Sequence, residues 1–208
     1  HRRLVDALEH RDARGAPVVA ADLARHAAAA APLEGADRAV RWARRAATAE
    51  RARLAFGEAA DHLARGRRAV EDVGEPGAGA VLVDLLAEEA DARARCGAST
   101  AARALFDDAH RRAVALGDAE RRGRVALGVA RLGARFAMPR DALIAMLEGA
   151  RAALEGSGTP LEAQLTAGLA RELQHSVPAE RPRATPLSER ALALARAFDD
   201  PETLAACL

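Results

Sequence analysis

The feature that most constrains this chain is a recurrence. A small residue, a large one and another small one return at relative positions i, i+4 and i+7: Ala59-Leu63-Gly66, Ala102-Phe106-Ala109, Ala142-Met146-Gly149 and, more faintly, Ala184-Ser188-Ala191. The period is about 42 residues, in the range that implies a stacked architecture. The three positions share one face of a helix. Small residues let a partner helix approach to about 8 Å while the large one fills the gap. A helix pair built this way cannot bury its apolar face alone, so successive pairs must stack into a quasi-one-dimensional solenoid.

The apolar periodicity predicts helices over approximately 2–13, 18–31, 35–53, 57–73, 78–96, 99–116, 119–135, 140–155, 160–175 and 185–198, with another starting at 201. No segment alternates as a β-strand does. Gly, Pro and Asp collect at the breaks, in "DVGEPGAG", "ALGDAE", "EGSGTP" and "AFDDPE". The core must be alanine-rich, because only 2 % of residues are aromatic, with one Trp, four Phe and no Tyr. A buried Ala methyl contributes about 0.8 kcal/mol against roughly 1.5–3 for a buried Leu or Phe. Stability then rests on many close contacts between slim helices, which alanine's high helix propensity helps to form.

The net charge of +1 argues against wholesale binding to nucleic acid or to an anionic membrane. Locally the charge is uneven. Nine Arg stand between Arg38 and Arg68 against Glu50, Glu58 and Asp61, whereas acids including Asp84, Glu88, Glu89 and Asp91 dominate from Glu71 to Asp108. Solvated helix faces or a groove with a polarity gradient would both look like this. Cys96 and Cys207 have no CxxC spacing, which points to neither a disulfide framework nor a zinc site and fits a reduced, cytoplasmic setting. No apolar run approaches a membrane span, and "HRRLVDALEHRDARG" has no signal-peptide core. The chain starts inside one expected helix and stops inside another, "PETLAACL", as a piece of a longer protein would.

The second copy, "LLAEEADARARCGASTAARALFDDAHRRAVALGD", resembles the tetratricopeptide repeat, with Gly97 at the turn between its helices, then Ala102, Phe106 and Ala109. Phe56 stands where that family often has an aromatic, while the turn Gly is absent from copies one and three and the last copy carries a long "SVPAERPRATP" loop. The resemblance implies an all-α, right-handed α-solenoid of antiparallel helix pairs, with about four copies over residues 34–208 and a fifth begun. A narrower resemblance covers most of residues 1–73. His1 in "HRRLVDALEHR", the Leu23-Ala24-Arg25-His26 segment and the run "RAVRWARRAATAERARLAFGEAADHLARGRRAVE" are similar to the junction that follows the ATPase core in large ATP-binding transcriptional regulators of the LuxR type and related actinobacterial signal-transduction ATPases. It implies that residues 1–33 are a helical junction after an upstream ATPase.

Catalytic readings find little purchase. All 31 basic residues are Arg, and a chain without Lys cannot hold the Gly-Lys-Ser/Thr end of a phosphate-binding loop, so no nucleotide cofactor is expected. His10-Arg11-Asp12 spells a kinase catalytic triplet, but the Asn that should follow is missing from an Asn-free chain. Asp107, Asp108 and His110 project in different directions from one helix and match no metal motif. His62 and His175 read as polar-face residues, and Ser99, Ser157, Ser176 and Ser188 lack a nucleophile's context, the "GSG" at 156–158 being a helix stop.

Recognition remains. In repeat solenoids the first helix of each pair usually lines the concave surface. By the spacing, copy one offers Arg41, Arg44 and Arg51, copy two Asp84 and Asp91, and copy three Arg124 and Arg131. Trp42 shares a helix with the first three and is either core or a ligand platform. Guanidinium groups pair carboxylates bidentately, so such a groove suits a protein, a peptide or a neighbouring domain, with a small-molecule effector also conceivable. The expectation is a non-enzymatic regulatory module coupling an effector or partner domain to an adjoining ATPase; a plain peptide-binding adaptor is the alternative. An enzyme would need an acid–base site the sequence does not display. Direct DNA binding through Arg38–Arg68 is disfavoured because the adjoining acids repel phosphate.

Overall fold

A computed structural model describes residues 1–132, 139–198 and 200–208. Their helices are α1 (Arg2–Ala13), α2 (Ala20–Glu34), α3 (Asp37–Ala52), α4 (Phe56–Val73), α5 (Gly79–Arg95), α6 (Ser99–Leu116), α7 (Ala119–Leu132), α8 (Arg140–Ala153), α9 (Pro160–Gln174), α10 (Ala184–Arg196) and α11 (Pro201–Cys207), with a 3-10 turn at Arg181–Arg183. No strand occurs among the described residues. The expected end of α7 at 135 lies outside them. α2 runs past its expected end through exposed Pro32 in its last turn, and Gly35, at φ 86°, stops it instead.

The chain divides into two compact units, His1–Arg112 and Ala113–Leu208, a boundary that falls inside α6 and inside the expected repeat region. Within each unit, helices pack on sequence neighbours and some also on the next but one. In the first, α2 meets α3 and α4, α3 meets α4, and α4 meets α5. In the second, α7 meets α8 and α9, α8 meets α9, and α9 meets α10 and α11.

The recurrent triplets explain much of this packing. Ala59, Leu63, Ala102, Phe106 and Ala109 are at most 2 % exposed. Gly66 marks the closest approach of α3 and α4, since a Cβ there would stand 2.7 Å from the Cβ of Ala43. The third triplet is a correction. In α8 the buried residues are Leu143, Ile144, Leu147 and Ala150, whereas Ala142 is exposed and Met146 and Gly149 are half-buried. The row facing the core is therefore one residue later than the triplet suggests. In the fourth copy Ala184 and Ala191 are buried but Ser188 is exposed.

The turns also repeat. Gly97, at φ 84°, ends α5 with its N–H on Ala94 O at 3.1 Å and that of Ala98 on Arg93 O at 2.9 Å. The equivalent turn after α3 has the same pair of bonds, Leu54 to Arg51 O at 3.0 Å and Ala55 to Glu50 O at 2.9 Å, but it is built on leucine at φ 61°. The geometry of the helix-pair turn thus persists where its glycine is absent.

Candidate functional site

The residues expected to face a partner in copy one lie on α3, and the structure shows what faces them. Arg38, Arg41, Trp42 and Arg45 form one stripe of that helix at i, i+3, i+4 and i+7. Opposite stand three acids of α1, Asp6, Glu9 and Asp12. Arg38 donates to Asp6 Oδ1 at 2.6 Å and to Glu9 Oε2 at 2.7 Å, and Arg41 donates to Glu9 Oε1 at 2.7 Å. Trp42 Nε1–H donates to the same Glu9 oxygen at 2.5 Å. Arg45 grips Asp12 with both terminal nitrogens, one of them at 2.6 Å, while its guanidinium carbon lies 4.6 Å from the centre of the Trp42 ring. Glu34 completes the cluster, accepting from Arg38 at 3.1 Å.

Trp42 is 3 % exposed and packs with Val5, Leu23, Ala39 and Ala46, so it is core with a polar edge and offers no open ring face to a ligand. Glu9 is the centre of the arrangement. Burial works against its ionisation, but hydrogen bonds from Arg38, Trp42 and Arg41 outweigh burial and hold its carboxyl at about 2. Bonds from Arg45 likewise keep Asp12 below the usual carboxylate range, and the Glu9 carboxylate raises Arg38. Glu9 and Asp12 are thus held as carboxylates, and Arg38 and Arg45 as cations, at neutral pH.

Several of the other candidates are also engaged within their own units. Arg44 donates from Nε to Glu88 at 3.0 Å, and Arg51 bonds Glu88 O at 3.0 Å while its buried Nε has no partner. Asp84 is half-buried on α5, and Asp91 accepts from Arg95 at 2.9 Å. In the second unit Arg124 pairs with Glu120 at 3.4 Å, and exposed Arg131 lines a shallow cleft with Gln164 and Arg171. The structure therefore brings Arg41 and Trp42 together around Glu9, and Arg44 and Arg51 around Glu88. The basic-to-acidic succession in the first unit closes partly on itself, Arg67 binding Glu89 at 2.8 Å and Arg93 binding Asp61 at 2.7 Å.

Asp107 accepts from Arg103 at 2.8 Å, and Asp108 from Arg111 and Arg112 at 3.0 and 2.9 Å. Among the described residues no group of three or more His, Cys, Asp or Glu is placed to hold a metal ion. His62 is a correction, being 9 % exposed instead of on a polar face; burial and neighbouring Arg65 keep its pKa below the ordinary value. His1 and His26, the two histidines that carry the narrower resemblance, meet with Nδ1 atoms 2.8 Å apart and rings stacked at 5.0 Å. Among the described residues no helix is long and apolar enough to cross a membrane. Both cysteines are free; burial raises the Cys207 thiol.

Sequence reasoning missed Asp6, Glu9 and Asp12, and a signal was there to find. The acids are spaced by three in "DALEHRD" and match the arginine spacing of "RAVRWARR", but only a pairing of α1 with α3 would reveal it. It also missed Glu162, 1 % exposed, which accepts from the backbone N–H of Gly156 and Gly158 at 3.2 and 2.9 Å and so ties down the loop before α9. Thr159 accepts from Glu162 N at 3.3 Å as the N-cap of α9, so "TPLE" makes half of a capping box, with the Glu162 carboxylate reaching back to Gly158 N–H instead of Thr159 N–H.

The second unit also has two open clefts. One lies among α9, α10 and α11 and is lined by Ala167, Arg171, Ser188 and Leu192; the other runs from Pro139 and Ile144 to Val177 and Arg181. The first cleft also holds His175, Glu189 and Cys207, and the second Asp141, Glu148 and His175. No family model, curated protein or solved structure matches this chain.

Proposed function

We propose that this chain is a non-enzymatic regulatory scaffold, a right-handed solenoid of tetratricopeptide-like helix pairs. It binds an effector or a partner domain and couples that binding to an adjoining ATPase in a transcriptional regulator. The observation that carries the repeat reading is the packing of helices on their sequence neighbours, and of α2 on α4 and α7 on α9, with the small anchors Ala59, Gly66, Ala102 and Ala109 buried. Long arginine and carboxylate rows on such helices supply specificity for a protein surface without supplying reactive groups. The regulatory context rests on the resemblance of residues 1–73.

The ion-paired ladder on α3 supports the second reading, a peptide-binding adaptor with no allosteric role, equally well. Context separates the two. A nucleotide-binding domain encoded immediately ahead of His1, whose ATP turnover changes when residues 34–208 are deleted, supports the regulatory reading. Unchanged turnover supports the adaptor. Steady ATP hydrolysis by the purified chain, abolished by a substitution within it, would remove both.

A further inference from the structure

The α1–α3 ladder differs from the rest of the fold in how it is made. The backbone of α1 packs on α2 alone and reaches α3 only through side chains. Val5 is its single buried residue. Beyond Val5 and half-buried Leu8, what holds α1 to α3 is charge and hydrogen bond in pairs that solvent reaches on at least one side, and pairs open to solvent each contribute little. The Trp42 indole, by contrast, is fully packed yet aims its one N–H outward at the ladder, where it needs an acceptor. Residues 14–19 separate α1 from α2, so α1 can leave without unravelling its neighbour.

We propose that the Arg38–Arg41–Trp42–Arg45 face of α3 is a receptor for an acidic amphipathic helix of another protein, and that α1 fills it in cis as a stand-in. The chemistry of the partner is read from α1 itself. Val5, Asp6, Leu8, Glu9 and Asp12 set a pattern of apolar, acidic, any, apolar, acidic, any, any, acidic. The central acid must be a carboxylate, because it takes donors from Arg38, Arg41 and Trp42 together. The two apolar positions, Val5 and Leu8, pack in the cluster that holds Trp42. A partner helix with this pattern and more apolar contact displaces α1. The inference rests on the reading of the chain as a recognition module and names the surface that reading leaves open.

The test uses the whole chain, as wild type and as Glu9→Gln/Asp12→Asn, with a labelled, acetylated peptide of residues 2–13 as probe. A control peptide carries Asn, Gln and Asn in place of Asp6, Glu9 and Asp12. In the variant the cis helix is loosened, so the probe binds about tenfold more tightly than to wild type, because the competing occupant no longer reduces the fraction of open receptor. The red-shifted emission of Trp42, the only Trp, returns towards its wild-type position as the probe binds. The control peptide does neither. Hydrogen exchange on the wild-type chain gives a second readout that needs no variant: saturating probe speeds exchange in α1 and leaves α3 protected.

Equal or absent probe binding in wild type and variant, or exchange in α1 that ignores the probe, overturns the proposal. So does competition by duplex DNA as effective as by the peptide, which would mean that charge alone is recognised. These outcomes leave the recognition reading standing on other helix faces, whereas that reading itself fails only if the purified chain turns over a substrate.

Discussion

At the scale of single residues, two glycines at the helix crossings show how much depends on what surrounds a missing Cβ. Replacing a mid-helix Gly by Ala gains about 0.5–1 kcal/mol in conformational entropy. At Gly66 the new Cβ would meet the Cβ of Ala43 at 2.7 Å, and neither atom can rotate away. Overpacking of this kind costs typically 1–3 kcal/mol, so Gly66→Ala should lower stability in a urea titration. At Gly149 the obstacle is the end of the Arg122 side chain, which can swing aside, and Gly149→Ala should be neutral or stabilising in the same assay. Equal losses at both positions would contradict this account. Glu9 gives a pH prediction. Its carboxyl is held at about 2 in the folded chain against 4.5 as a free side chain, so its contribution is complete above about 4.5 and disappears as the pH falls towards 2. Wild-type stability should therefore drop more steeply over that window than that of Glu9→Gln; parallel curves would show that the ladder contributes nothing.

At the scale of elements, the turn after α3 is the clearest case of a local rule being overridden. Leu54 adopts a left-handed conformation that costs an L-residue roughly 1–2 kcal/mol, in the same pair of hydrogen bonds that Gly97 makes without cost. Its side chain is 75 % exposed, so little packing compensates. Leu54→Gly should accordingly raise the midpoint of denaturation by the equivalent of about 1 kcal/mol, less whatever flexibility the glycine adds to the unfolded chain. A lower midpoint would mean that the leucine makes a contact outweighing its strain. The helices themselves were legible in the sequence to within a few residues, because Gly, Pro and Asp punctuate them. The register of α8 was not. In "DALIAMLEGA" apolar residues occupy adjoining rows, so spacing alone could not separate Ala142, Met146 and Gly149 from the row of Leu143, Leu147 and Ala150 that is buried. The charged stripe of α3 was legible for the same reason that its partner was not. Periodicity reports one helix at a time, and Glu9 is 32 residues from Arg41.

At the scale of the whole molecule, two compact units and contacts confined to near neighbours in sequence set limits on cooperativity. Repeat arrays unfold as a sum of local stabilities and interface terms, and single all-or-none transitions fail when units are unequal. The sole Trp reports on His1–Arg112 alone, whereas far-UV circular dichroism sums both units. The two probes should give non-coincident urea transitions. Coincident curves would show that the division by contacts carries no thermodynamic weight. The alanine-rich core fits the same picture, since clusters such as Ala163, Ala167, Ala191 and Ala195 depend on close approach over a short range.

The ladder on α3 has one more property, set by which cation it uses. Every positive group in it is a guanidinium, which stays protonated through the whole alkaline range, so only acid can open the contact. An ammonium in the same places would let go at both ends of the pH scale. It would also expose the face to acylating enzymes, whose usual target is the lysine amine and whose product is a neutral amide. A chain without a single lysine is closed to that form of silencing. Its receptor face can be vacated by competition or by acid, and cannot be switched off by side-chain acetylation.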